Sequence, residues 1–177
     1  RKNNYGELVF SMLYAYSEDF VLVFSHDEVV HGKGSMIGKM PGATLETKAE
    51  NLRTAYAFMM GHPGKKLLFM GQDFGQLHEW DEKVSLDWYL AELDDHKDLQ
   101  EYVKDLLHLY KKYPALYRQD NDWNGFQWIN ANDADRSIFS FLRRDESGKK
   151  NLLFIINFTP VERPDYRVGD PKRGKYT

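Results

Sequence analysis

The sequence predicts an α/β chain in which a parallel strand–helix–strand unit is followed by an antiparallel β meander. Three observations carry this. Phe20–Phe24 and Lys66–Met70 are short apolar runs rich in Val, Leu and Phe, the pattern of strands buried on both faces. A single long helical stripe lies between them, which makes the two strands a βαβ pair and therefore parallel. Beyond about Gln119 the helical spacing stops, and short β-rich runs alternate with turn residues.

The elements follow in order. Leu8–Tyr16 is apolar and aromatic and reads as the end of a helix, with Ser17-Glu18-Asp19 separating it from the first strand. His31–Met40 carries Gly32, Gly34 and Gly38 and reads as a loop closed by Pro41-Gly42. Thr44 or Thr47 is placed to cap the next helix, whose stripe is Leu45, Ala49, Leu52, Tyr56 and Met59. Gly61 and Pro63-Gly64 end it. After the second strand comes the polar loop Gly71–Gln76, then irregular chain to about Asp94. Leu99, Tyr102, Val103, Leu106, Leu107 and Tyr110 form a second stripe, stopped by Pro114. Phe126–Ile129, Ser137–Arg143 and Asn151–Phe158 are the expected meander strands, so a boundary is placed near residue 119.

Composition narrows the function classes. Lysine and arginine number 24 against 27 acidic residues, a net charge of −3, which argues against a nucleic-acid partner. The basic tail Lys172, Arg173, Lys175 is too short to reverse that. There is no cysteine, so disulfides and thiolate metal sites are excluded, and a reducing compartment is compatible. No run approaches the ~18 apolar residues of a membrane span. Aromatics at 15% suit a core, and equally a cleft in which rings stack on sugars.

The richest stretch is Phe20–Ser35, FVLVFSHDEVVHGKGS. Its strand ends on Ser25, His26, Asp27 and Glu28, and α/β folds place their chemistry at the carboxyl ends of strands. His26 and His31 are five apart, not the four of a zinc-binding H-E-x-x-H helix. Gly32-Lys33-Gly34-Ser35 lacks the spacing and the Ser or Thr of a phosphate loop, and no G-x-S-x-G elbow exists. Carboxylate chemistry remains. Asp27 can stabilise an oxocarbenium-like transition state and bind ring hydroxyls, with His26 donating to the same hydroxyls. The alternative for this pair is a loop or helix-cap hydrogen bond.

Phe24–Lys33 resembles the last sequence signature of the α-amylase superfamily, and the wider pattern is similar to the glycogen (1,4-α-glucan) branching enzymes. The resembling blocks are Gly38–Gly42, Asn51-Leu52-Arg53, His62–Gln72, Ser85-Leu86-Asp87-Trp88, Tyr113–Leu116, Ser140–Arg144 and Asn157–Pro160. The resemblance implies a transferase that cuts an α-1,4-glucan and passes the segment to a 6-hydroxyl, without metal or other cofactor, in the cytoplasm. It implies that residues 1–118 are the C-terminal portion of a (β/α)8 TIM barrel, its last two strands and helices, and that 119–177 begin an antiparallel all-β domain. Asp27 matches the transition-state-stabilising carboxylate and His26 its hydroxyl-binding neighbour. The family's nucleophilic Asp and acid/base Glu have no matching segment, and Glu28, adjacent to Asp27, cannot replace the latter. His31, Lys33, Gln72, Asp73 and Trp80 are expected to contact the α-glucan. Trp88 is expected either to stack on a ring or to sit in the core, and Met36, Met40, Met59 and Met60 to pack. Two strands cannot close a barrel, so the piece alone is expected to be inactive and to self-associate or be unstable. Another α-glucan hydrolase of the superfamily and a non-catalytic glucan-binding piece are the competing readings.

Overall fold

The structure, a computed structural model, describes residues 4–169; the basic tail Lys172, Arg173, Lys175 lies outside them. The chain forms two compact units, one of residues 20–112 and one that joins residues 1–19 to residues 113–177.

In the first unit, β1 (Val21–Phe24) and β2 (Lys65–Leu68) pair in parallel, Val21 opposite Lys65 and Phe24 opposite Leu68. Between them run α2 (Met36–Lys39) and α3 (Leu45–Gly61), and α4 (Asp94–Lys112) follows. Both candidate caps of α3 are used. Thr44 accepts from the Thr47 amide and Thr47 reciprocates, a capping box that satisfies two otherwise orphan N–H groups. The stripes read from the sequence bury Ala49, Leu52, Tyr56 and Met59 on α3, and Leu99 and Val103 on α4. All of these but Met59 join Val29, Met36 and Ile37 in one core, against which Phe24 and Leu68 also pack. The helix α2 lies inside the stretch expected to be loop. Ser35 caps it by accepting from the Gly38 amide at 3.1 Å, which lets one turn form despite the glycines.

One expectation is corrected: β1 and β2 are not buried on both faces. Their exposure alternates, with Val21 51%, Val23 48% and Leu67 41% exposed. Core helices cover only one side of this pair. The continuous apolar run records residues suited to two covered faces, and this chain supplies cover for one.

In the other unit, β3 (Phe126–Asp133), β4 (Ile138–Arg143) and β5 (Leu152–Asn157) form an antiparallel sheet in that order, with bulges in the β3–β4 ladder. The N-terminal helix α1 (Tyr5–Phe10) is short and passes into a 3-10 turn at Ser11–Leu13. It belongs with this sheet because Tyr5 stacks on Phe139 at 4.1 Å and donates to the Ile138 carbonyl at 3.1 Å. The division at Lys112/Tyr113 lies close to the expected boundary at 119, while residues 1–19 go with the C-terminal unit.

Candidate functional site

At the carboxyl end of β1 the chain turns sharply. Ser25 is extended and its Oγ accepts from the Asp27 amide at 3.2 Å, capping a 3-10 turn over His26–Glu28. Strand alternation would have sent His26 and Asp27 to opposite faces. The turn instead brings them together, with His26 Nε2 3.3 Å from Asp27 Oδ1. Both side chains stay open to solvent, 58% and 71% exposed. The pair is therefore available to a ligand and is not consumed by a buried cap, since Ser25 does the capping. Glu28 turns away, its carboxylate 3.6 Å from the Lys39 ammonium and its carbonyl accepting from the same group.

The next loop wraps back onto this turn. Lys33 Nζ donates to the Asp27 carbonyl at 2.6 Å. His31, Gly32 and Gly34 have φ of 59°, 80° and 71°, left-handed backbone that glycine adopts without strain. This conformation aims the Gly32 and Gly34 amides at one carboxylate: they donate to Glu79 Oε1 at 2.8 Å and Oε2 at 2.7 Å. These two bonds hold the Glu79 carboxyl below the usual glutamate range. The stabilisation they bring is present above the ordinary glutamate pKa and is lost only as pH falls through the lowered value.

Trp80 continues the contact, its amide donating to the Val29 carbonyl at 3.0 Å. Its ring meets Phe69 edge-on at 5.2 Å, and Phe69 lies 6.0 Å from the His26 ring. His26, His31, Glu79 and Trp80, with Val30, Asp81 and Glu82, line an open cleft of about 570 Å³. It presents acceptor carboxylates, imidazole donors and an aromatic surface, which is the chemistry that hydroxylated rings require.

Of the expected residues, His26, His31 and Trp80 line this cleft; Asp27 and Lys33 do not line it and adjoin it through the turn, Asp27 beside His26 and Lys33 on the Asp27 carbonyl. The structure does not bring Gln72 and Asp73 to that cleft. Gln72 is 3% exposed, its side-chain atoms buried without partners and its carbonyl accepting from Tyr56. Asp73 accepts from Gln100 on α4 at 3.0 Å. Both follow a β2 that ends at Leu68, two residues before the expected end, so the chain has already turned toward the helices. Trp88 is 59% exposed and lies 5.4 Å from Phe74, outside the core. Glu79 was missed by sequence reasoning. Its partners are main-chain amides 47 and 45 positions away, which leave no side-chain pattern to read. Among the described residues there is no cluster of three or more His, Cys, Asp or Glu able to hold a metal, and no helix is long and apolar enough to cross a membrane.

Comparison with known proteins shows what these residues are similar to. The alpha-amylase C-terminal all-beta domain matches residues 128–177. The whole chain is 54% identical over 177 residues to a 1,4-alpha-glucan branching enzyme GlgB of Butyrivibrio fibrisolvens, covering 28% of that protein. A GlgB of Aquifex aeolicus is 54% identical over 98% of this chain and 28% of its own length. One of Nitrobacter hamburgensis is 51% identical over 99% and 24%. The chain thus spans about a quarter of the length of the curated relatives it matches. Among solved structures, a mutant pullulanase of Paenibacillus barengoltzii complexed with maltotetraose has a similar fold. Its TM-score is 0.51 at 23% identity, over 71% of this chain and 21% of that one. Along its whole length, then, this chain is similar to the 1,4-alpha-glucan branching enzymes GlgB, as the Phe24–Lys33 signature combined with the His62–Gln72 and Ser85–Trp88 blocks implied.

Proposed function

We propose that this chain is the part of a 1,4-α-glucan branching enzyme that contributes the stabilising carboxylate and one wall of the glucan cleft. The observation that carries the reading is the exposed His26–Asp27 pair at the end of a parallel strand, in a chain 54% identical to GlgB enzymes throughout. In a retaining double displacement, a nucleophilic carboxylate attacks the anomeric carbon while a carboxylic acid protonates the departing 4-oxygen. The 6-hydroxyl of an acceptor glucan then attacks the same carbon, losing its proton to the acid/base residue and releasing the nucleophile. The reading assigns those two groups to earlier strands of a (β/α)8 barrel in the complete, cytoplasmic protein. Asp27 holds ring hydroxyls and meets the positive charge that develops at the anomeric centre, and His26 donates to a neighbouring hydroxyl. Trp80 and His31 shape the sugar-binding wall, and Lys33 acts on the acceptor side.

The complete enzyme incubated with amylose is expected to produce new α-1,6 linkages, read by NMR or by a debranching enzyme. Chain shortening without new linkages would assign hydrolysis instead, and glucan binding without turnover would assign a binding role.

The same reading covers the open face of β1 and β2 with side chains that the other strands send into the barrel interior, and pairs their free edges with neighbouring strands. The piece alone exposes Val21, Val23 and Leu67, and beside them Met70 at 57%, next to unpaired strand edges. Residues 1–177 alone are expected to elute as higher assemblies in size-exclusion chromatography with light scattering. A stable, well-folded monomer would count against a covered face.

A further inference from the structure

We propose that Glu79 is a positioning residue of the glucan cleft: by accepting the Gly32 and Gly34 amides together, it fixes the loop from which Lys33 holds the main chain of Asp27. The inference rests on the reading of this cleft as the branching site, and it assigns a role to a residue that contributes no group to the chemistry itself.

Besides one main-chain turn bond, from the Lys33 amide to the Val30 carbonyl at 3.3 Å, the loop has little else to define its shape. His31, Gly32 and Gly34 all sit in left-handed backbone, and glycine is the residue with most conformations to lose on ordering. A Cβ at Gly32 or Gly34 would meet nothing within 4 Å, so no packing confines them. What confines them is one carboxylate with an amide on each oxygen, 2.8 Å and 2.7 Å away. These are charge-assisted bonds, the stronger class of hydrogen bond. A second tie comes from the neighbouring Trp80 amide to the Val29 carbonyl at 3.0 Å. The segment 79–80 therefore grips the loop at both ends.

The far side of the loop reaches the catalytic turn. Lys33, between the two clamped glycines, donates to the Asp27 carbonyl at 2.6 Å. Asp27 is itself 71% exposed and has no side-chain packing to fix it beyond Ser25 and His26. Position is what a stabilising carboxylate contributes, and a displacement of about 1 Å at such a group costs roughly 100-fold in rate. A route for that displacement runs from Glu79 through Gly32 and Gly34 to Lys33 and Asp27.

The isosteric change Glu79→Gln separates positioning from packing. The amide keeps the size but replaces one acceptor oxygen with a donor, which must face an N–H. In the complete enzyme the expected result is a kcat on amylose lower by roughly 100-fold with KM within about threefold. The melting temperature should fall only slightly, by the stabilisation those bonds bring, with the enzyme fully folded at the assay temperature, and amide exchange should accelerate at Gly32 and Gly34. Unchanged kcat in Glu79→Gln overturns the proposal, as does a loss of activity that merely tracks unfolding at the assay temperature. Asp27→Ala measured in parallel distinguishes the two ideas. If Asp27→Ala is active, the cleft reading itself fails; if it is inactive while Glu79→Gln is fully active, only the positioning role fails.

Discussion

Replacing Asp27 by alanine in the complete enzyme is expected to lower branching by roughly 1,000-fold or more while leaving the protein folded. The two halves of that statement have separate grounds. Activity falls because the carboxylate is the charge that meets the developing oxocarbenium ion, and an alanine methyl group neither accepts from ring hydroxyls nor stabilises positive charge. The fold survives because the side chain is 71% exposed and the turn does not depend on it. The cap is Ser25 Oγ accepting the Asp27 amide, and Lys33 binds the Asp27 carbonyl; both are main-chain groups that alanine retains. Asp27→Asn sharpens the test, since it keeps the size and some hydrogen bonding while removing the charge. Initial rates of linkage formation, with circular dichroism to check folding, decide the matter. Near-normal rates in a folded Asp27→Ala enzyme would remove Asp27 from the site.

The same turn marks where the sequence stopped being informative. Apolar spacing located α3 and α4, because residues repeating at the helical period share one buried face only when the backbone between them is helical. The capping threonines were also legible, as was the strand delivering His26 and Asp27. The relative placement of that pair was not. The sequence allowed a shared ligand or a loop pairing for them, but only the 3-10 turn capped by Ser25 fixes how these adjacent side chains converge. Gln72 and Asp73 look equivalent to His26 and Asp27 on paper, each pair following an apolar run. They part company because β2 stops at Leu68 and the chain then bends toward α4, where Gln100 takes the Asp73 carboxylate. The placement of residues 1–19 depended on Tyr5 meeting Phe139, a contact across most of the chain that no local pattern records.

Asp120→Ala is expected to destabilise the C-terminal unit by about 3–5 kcal/mol, the cost of leaving a buried charge without its partner. Arg143 lies on the central strand β4 and its side chain is 0% exposed; that of Asp120 is 2% exposed. The guanidinium gives Nη2 to Asp120 Oδ1 at 2.7 Å and Nε to the Gly125 carbonyl at 3.2 Å. Every residue of β4 is buried, and an arginine occupies a core position there because an aspartate is built in beside it. Removing one partner and removing both should then differ sharply. Asp120→Ala should be severe, whereas Asp120→Ala with Arg143→Met should recover much of the loss, since a paired buried charge exchanged for apolar packing is often near neutral. Urea unfolding of the single and double variants measures this as a coupling energy, and additive losses would refute it. Tyr16 provides an independent reading. Burial pushes its phenol up to about 12, with Arg143 pulling the value down and Asp120 pushing it up. Loss of Asp120 in a variant that still folds should therefore lower the Tyr16 pKa, and an NMR titration showing a rise would mean that the guanidinium no longer acts on the Tyr16 phenol.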